Sequence, residues 1–444
     1  MNRLLTLCTA LLLTAGLMLP SQAVGQVAQA TDGAAPSDKA DGITVIGDDE
    51  DDSEDDETAE EAESASAPAQ EERSLEVSIG GSLRFNALFR SYGSESGSQS
   101  FRDFEDKADR KLGNGGFTFD TFRINASGSY GDLVFDAEYA IYPDAFGGLF
   151  IHHGWAGYNF SDATQVQVGV SQVPFGIQPY ASSSWFFNNT YYVGLEDDYD
   201  AGVKLLYQTG PWDVQAAYYM NAEGNTFYGS SDAQRYSYDV VPTGRGLSEE
   251  NQFNGKVAYS VNHGDLGFTK VGVSGQWGQL LNENNGDTDS HYALAGHVQG
   301  RYGGFGAKLE VAQQTLNPPV PTGQSDEFVT MGAYNGTYQV ASEHTVYSSS
   351  LSYRFPVELG PISQIKPYYD FSMVTKDVDG WNDNVSHITG FLTSAGPMFI
   401  YTDLIVSKGH PFNQPFDDTF STVMAQQADN TWRTAFNVNI GLYF

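Results

Sequence analysis

The chain ends on Phe436-Asn437-Val438-Asn439-Ile440-Gly441-Leu442-Tyr443-Phe444. Phe436, Val438, Ile440, Leu442 and Phe444 are apolar, and the residues between them include Asn437, Asn439 and Gly441. This is the two-residue period of a strand with one greasy and one polar face. A strand stopping on its last aromatic is expected to close something. In a chain with 48 Gly, 26 Tyr and 28 Phe among 444 residues, the expected object is a β-barrel in a bacterial outer membrane.

The other end agrees with that compartment. Arg3 precedes an apolar run from Leu4 to Leu19, then Pro20, then the small-x-small triplet Ser21-Gln22-Ala23, so residues 1–23 read as a secretory signal peptide too short to span a bilayer. The sole cysteine, Cys8, lies inside it, which leaves the mature chain no disulfide, no thiolate and no lipid-bearing cysteine. Beyond it no run of eighteen apolar residues occurs, so a helical span is excluded, whereas a barrel uses only every second residue against lipid. Residues 24–74 form an acidic zone without aromatics, densest from Asp48 to Glu63, and are expected to be a disordered periplasmic segment because like charges at this density bury nothing. A solubilising tail, a cation-binding spacer and an oligomerising segment anchored by Ile43, Val45 and Ile46 are its possible roles. From Leu75 onward 39 acidic residues face 19 basic ones, a field that argues against nucleic acid as a partner.

From Leu75 the alternation resolves into strands near 77–91, 117–129, 133–142, 150–160, 165–173, 200–209, 212–221, 251–262, 267–279, 290–301, 305–314, 344–356, 363–374, 386–394, 398–407 and 431–444. The expected fold is therefore all-β, a sixteen-stranded antiparallel transmembrane barrel over 75–444. The weakest alternation is in 150–160 and 386–394; without both the count is fourteen. Connections alternate in length. Tyr130 to Asp132, Ser161 to Thr164, Gly210-Pro211, His263 to Leu266, Tyr302 to Gly304, Val357 to Ile362 and Ala395 to Pro397 are tight. Those over 92–116, 143–149, 174–199, 222–250, 280–289, 315–343, 375–385 and 408–430 are long. Short periplasmic turns opposite long extracellular loops is a barrel's arrangement, and a soluble sandwich has no reason to segregate them. Tyr92, Tyr158, Tyr207 and Tyr353 suit interfacial girdles, or in part loop and lumen positions.

Parity then assigns faces. Phe135, Ala137, Tyr139 and Ile141 oppose Asp136 and Glu138; Val166, Val168 and Val170 oppose Gln165 and Gln167; Val203, Leu205 and Tyr207 oppose Lys204; Ala307, Leu309 and Val311 oppose Lys308 and Glu310. A lysine against lipid costs about 2–4 kcal/mol near the midplane, so the charged parity faces a wet lumen. Arg84, Arg90, Arg123, Lys204, Lys256, Lys308, Arg354, Lys366 and Arg433 take that parity, with Asp136, Glu138, Glu310 and Asp370. Two readings stand: charges that pair and brace the wall, or a basic track drawing anions through a narrow channel. The acidic loops, with Glu196, Asp197, Asp198 and Asp200, then Glu249, Glu250, Asp287 and Asp289, stand against the second reading, and three roles are open to them: repelling anions at the mouth, binding divalent cations, or lying away from the path.

Sixteen strands leave an open hole unless something narrows it. The segment 174–199 is the candidate: Pro174-Phe175-Gly176 breaks the strand and Trp185, Phe186 and Phe187 need burial. It either folds into the barrel, bringing Glu196, Asp197 and Asp198 with it, or packs at a subunit interface.

Val168-Gly169-Val170-Ser171-Gln172-Val173-Pro174-Phe175-Gly176, with Asp200-Ala201-Gly202-Val203-Lys204 and Ala217-Tyr218-Tyr219-Met220-Asn221, resembles the strand-to-loop signature and following strands of the phosphate-selective porin O/P family. The resemblance covers about 165–225 and implies a homotrimeric sixteen-stranded channel with inward-folded loops, passing small anionic solutes. Ser182, Ser183 and Ser184 stand where that family usually has a basic residue, and several ladder positions are unfilled or lysine. Dicarboxylates and other organic anions are therefore as open as phosphate.

An outer-membrane hydrolase would need Ser, His and Asp or Asn together. His152 and His153 are adjacent and expected on opposite faces, and His263, His291, His297, His344, His387 and His410 are scattered without metal-ligand spacing. No catalytic residues, cofactor or metal site are assigned, and no twelve-residue calcium loop occurs. The expectation is a porin for passive diffusion of small hydrophilic, anionic solutes, partnered by outer-membrane lipid; the alternative is a non-conducting structural or adhesion barrel.

Overall fold

The computed structural model describes residues 74–92, 115–223, 233–415, 419–427 and 430–444. The expected signal peptide and all of the expected acidic segment but Ser74 lie outside these residues. The first seven strands are β1 (Leu75–Arg90), β2 (Gly115–Tyr130), β3 (Leu133–Ile141), β4 (Leu149–Ser161), β5 (Thr164–Gln172), β6 (Tyr199–Thr209) and β7 (Trp212–Ala222). After a two-residue strand β8 (Asp239–Val240) come β9 (Leu247–Asn262), β10 (Gly267–Asn282), β11 (Thr288–Tyr302) and β12 (Phe305–Leu316). A hairpin of β13 (Phe328–Ala333) and β14 (Gly336–Ala341) is followed by β15 (Glu343–Tyr353), β16 (Phe355–Leu359), β17 (Ile362–Lys376), β18 (Asn384–Ala395), β19 (Met398–Lys408) and β20 (Arg433–Tyr443).

β15 and β16 both pair with β17 and are separated only at Arg354, so together they make one wall strand. With β8, β13 and β14 set aside in a sheet of their own, sixteen antiparallel strands form the wall. Each pairs with its neighbours in sequence order, and β20 pairs with β1 from Ser82↔Tyr443 to Arg90↔Ala435, which closes the barrel. Phe444 joins the seam: its N–H donates to the Gly81 carbonyl at 3.0 Å and its carbonyl accepts from the Gly81 N–H at 2.8 Å. Closure matters because an open edge would leave backbone groups unsatisfied in lipid.

Burial is inside out, as parity predicts. Along β9 the outward row Phe253, Val257, Tyr259 and Val261 is 39–51% exposed, while the inward row Gln252, Asn254, Lys256 and Ala258 is 1–6% exposed. In β20 Ala435, Asn437 and Asn439 are buried inside and Phe436 and Leu442 face out. The polar row is buried because other protein fills the lumen beside it.

Five of the seven short turns have Gly first in a two-residue turn: Gly131, Gly210, Gly303, Gly360 and Gly396, with φ between 53° and 59°. A Cβ on Gly210, Gly303, Gly360 or Gly396 would meet nothing within 4 Å. Room is therefore not the constraint; the left-handed backbone is, which costs an L residue about 1–2 kcal/mol.

One connection expected to be long is short: β10 runs to Asn282 and β11 starts at Thr288, so only 283–287 remain between them. The connection expected over 143–149 keeps its length as 142–148 and holds one 3-10 turn at Asp144–Phe146. Glu249, Glu250 and Asp289 accordingly sit in strands. Above the hydrocarbon layer both faces of a hairpin are wet, so the apolar alternation that marks a strand stops while the backbone ladder continues.

Candidate functional site

Between β5 and β6 the chain turns into the lumen. At Gly176 φ is +55°, and an added Cβ would lie 2.5 Å from the Glu310 carboxylate. A segment leaving a strand carries unpaired N–H groups that must be satisfied if it is buried. Here the inner wall satisfies them. Gly176 N–H donates to Ser274 Oγ on β10 (2.9 Å) and Ile177 N–H to Glu310 Oε2 on β12 (2.6 Å). Ser183 and Ser184 N–H both donate to Asp370 Oδ2 on β17 (2.9 and 2.7 Å), Trp185 N–H to Asp403 Oδ2 on β19 (3.2 Å), and Asn189 N–H to Ser372 Oγ (3.0 Å). Lysines hold the opposite polarity. Lys308 Nζ donates to the Tyr180 carbonyl (2.7 Å), Lys204 Nζ to that of Gln172 (2.9 Å), and Lys256 Nζ to Gln178 Oε1 (2.7 Å).

Five charges expected on the channel wall, Lys204, Lys256, Lys308, Glu310 and Asp370, are thus bonded to the inward segment or to its root at Gln172. The segment follows the wall from β6 round to β19. Pro174, Phe175 and Gly176 start it, Trp185 lies at its far reach, and Glu196, Asp197 and Asp198 close it. Its aromatics are not left for a subunit interface: Phe186 packs inside among Leu88, Ile388, Ile405 and Ala435, and Phe187 stacks on Tyr191 at 4.5 Å.

Among the described residues, open space remains in the lumen against β1 to β3 and β20. It is a cavity of about 180 Å3 bounded on the wall side by Arg84, Arg90, Asp120, Arg123, Tyr142 and Tyr443 and on the other by Tyr180, Ser182 to Ser184, Trp185 and Tyr191. Arg84 and Arg123 converge on the Tyr142 hydroxyl (3.3 and 2.8 Å). Arg84 Nε lies 3.3 Å from Asp120 and its guanidinium 4.5 Å over the Trp185 ring, while Arg123 Nη1 bonds Glu138 at 2.7 Å. Two arginines are thereby held in fixed planes by hydroxyl, carboxylate and ring.

The remaining expected charges lie elsewhere, and Arg90 reaches beyond the cavity it lines. Arg90 and Arg433 flank the Tyr92 ring at 5.9 and 5.5 Å near the long-loop end of their strands, which makes Tyr92 part of the mouth rather than of a lipid girdle. Arg354 is in the break between β15 and β16, toward the short-turn end of the barrel, and Lys366 is buried on β17. Asp136 faces His153 at 3.3 Å.

His152 and His153 are not on opposite faces. Glu138 pairs with His153 and Tyr139 with Ile151, so His152 is a bulged residue, and the two imidazoles meet at 2.9 Å. A bulge sets two successive side chains against one partner, which simple alternation does not anticipate.

Above the inward segment the long connections form a lid. β8, β13 and β14 make a three-stranded sheet, and Val240, Val329, Met331, Tyr338, Val340 and Met424 are buried in one apolar cluster with Tyr192, Val193 and Leu195 of the segment. The Tyr338 hydroxyl donates to the Tyr192 carbonyl at 2.7 Å. Tyr142, Asp120, Asp403 and these lid tyrosines escape a reading by strand periodicity because they partner residues far away in sequence. Their one signal is the run of tyrosines through the long connections.

Burial moves the segment's acids. It pushes the Glu196 carboxyl up to about 8 and that of Asp197 up to about 6, and Asp198 lies well above the usual carboxylate range. Glu196 Oε1 accepts from the Ala181 and Ser182 N–H groups (3.0 and 3.2 Å) and Oε2 from the Thr190 hydroxyl (2.5 Å). It is a structural brace of the segment.

No family model matches the chain, and no curated protein matches it in sequence. Solved structures do match in fold. The outer membrane channel DcaP of Acinetobacter baumannii aligns over 83% of this chain and 97% of its own with a TM-score of 0.53 at 14% identity. Salmonella typhi OmpF, solved with daunomycin, aligns over 83% and 98% with a TM-score of 0.52 at 10% identity. The chain shares the closed sixteen-stranded barrel fold of these outer-membrane proteins.

Proposed function

We propose that the chain forms an outer-membrane channel for passive diffusion of small anionic solutes, its selectivity set by the arginines of the β1–β2 wall. The observation that carries this is the charge of the cavity: Arg84, Arg90 and Arg123 line it with the acid Asp120, Glu138 is bonded to Arg123, and the bases exceed these acids by one. In a low-dielectric constriction such an excess favours anions over cations. The acids of the inward segment do not oppose it at neutral pH to the extent their number implies, since Glu196 titrates near 8. Ser182 to Ser184 and the tyrosine hydroxyls across the cavity are neutral donors suited to organic anions as much as to phosphate. Membership of the phosphate-selective O/P-like group and the homotrimer belong to this same reading and rest on the resemblance over 165–225. Arg84, Arg90, Arg123 and Arg433 are its selectivity residues, and Lys204, Lys256 and Lys308 contribute through the position of the segment they hold.

The test is the reversal potential of the reconstituted chain in a planar bilayer under asymmetric KCl. Anion selectivity is expected, and Arg84→Gln with Arg123→Gln together should move the reversal potential toward zero. Strong cation selectivity would sink the reading. A second reading has its own observation: the lid and inward segment share one buried apolar cluster, as a plugged structural barrel would. Absence of any conductance would favour it.

A further inference from the structure

A second cluster of charge lies outside the arginine-lined cavity, where the end of the inward segment, the start of β6 and the lid meet. Asp198, Asp200 and Asp239 each bring a carboxylate oxygen to within 4.8 Å of the other two, and all three residues are buried. They are contributed by three different elements. Glu223 and Glu249 stand beside them, and Arg235 is the cation among them, bonded to Asp239 at 2.9 Å and 4.0 Å from Glu223.

Neighbouring donors account for part of this group. Asp200 Oδ2 accepts from Gln252 Nε2 (2.8 Å), Glu223 Oε1 from the Ser237 N–H (2.8 Å) and Glu249 Oε1 from the Val240 N–H (2.8 Å). Asp198 Oδ1 and Asp200 Oδ1 have no hydrogen-bond donor, although the two residues are only 7% and 2% exposed. Two orphaned carboxylate oxygens beside a third are costly to bury unless a positive charge or a proton lies between them. Every donor in the cluster is oxygen; it contains no His or Cys. That is the ligand chemistry of a hard divalent cation: each of the three carboxylates offers at least one oxygen toward the six to eight that calcium takes, water supplying the rest.

We propose that Asp198, Asp200 and Asp239 bind one calcium-class divalent cation, which ties the lid strand β8 to the inward segment and to the wall at β6. The ion would compensate charge that Arg235 alone does not, and would hold the lid to the constriction with bonds stronger than its apolar contacts. The inference is separate from the anion reading, because its measurement needs no conductance.

The test uses the full chain folded in detergent micelles after EDTA treatment and dialysis, titrated with CaCl2 by isothermal calorimetry. One saturable Ca2+ per chain is expected, weakened at least tenfold by Asp200→Asn and by Asp198→Asn. Asp287→Asn with Asp289→Asn, on the exposed β10–β11 hairpin, should leave it unchanged. EDTA should lower the unfolding temperature of the wild type but not of Asp200→Asn. Because that variant also removes repulsion, it should be at least as stable as the wild type when both are in EDTA. The proposal is overturned if the wild type shows no saturable binding and no response to EDTA. It is equally overturned if binding survives both aspartate variants, for the ion then sits on other acids.

Discussion

At the scale of single residues, the lumen of this barrel puts charges to a use that their number alone does not reveal. Glu196 holds two N–H groups and a hydroxyl of its own segment, yet its burial raises its carboxyl from 4.5 to about 8. Between these values the folded chain keeps a proton that the unfolded chain has released. The stabilisation is thus fully present below about pH 4.5 and is lost as pH rises through 8, by at most roughly 5 kcal/mol. Urea unfolding of the micelle-embedded chain from pH 4 to 9 should show the wild type losing more stability than Glu196→Gln between pH 5 and 8. Parallel profiles for the two proteins would remove Glu196 from the pH dependence.

The inward segment is the element on which the site depends, and it is held by bonds rather than by its own secondary structure. Asp370 accepts two of its N–H groups. Asp370→Ala leaves both without that acceptor in a buried place, a loss of about 2–5 kcal/mol to the docking of the segment. Asp370→Asn keeps a carbonyl oxygen and should recover part of it. Single-channel records of the alanine variant should show a larger, noisier conductance, with added proteolytic cleavage within 177–195. A quiet current of wild-type size would mean that the apolar packing of Phe186 and Tyr192 holds the segment without Asp370. The lid is the complementary element. Replacing 319–341, which carries the β13–β14 hairpin, with a short turn should raise conductance several-fold if the lid narrows the path, and an unchanged conductance would place the narrowing wholly at Arg84 and Trp185.

For the whole molecule, closure and filling are distinct problems solved by different residues. Closure is local and repetitive: an apolar row toward lipid, a polar row inward, and a glycine wherever a two-residue turn needs positive φ. Filling is not repetitive. Gly176 reaches Ser274 and Trp185 reaches Asp403, partners 98 and 218 residues away. Nothing in the period of β10 or β19 singles out those residues.

This division separates what the amino-acid order alone determines from what awaits the folded chain. The sixteen strands, their inward and outward rows, the seam of β20 on β1 and the segment leaving β5 at Pro174 are all legible in the order of residues. Each rests on a penalty that any lipid-facing strand or tight turn incurs, whatever its partners. What only the tertiary structure decides is the use of the inward charges. Lys256, Lys308, Glu310 and Asp370 are indistinguishable by parity from Arg84 and Arg123, yet the first four bind the inward segment and the last two line the space it leaves. The bulge at His152, the lid and the meeting of Asp198, Asp200 and Asp239 are of the same kind. A buried charge is stable only through its particular neighbours, and in this barrel those neighbours come from distant parts of the chain.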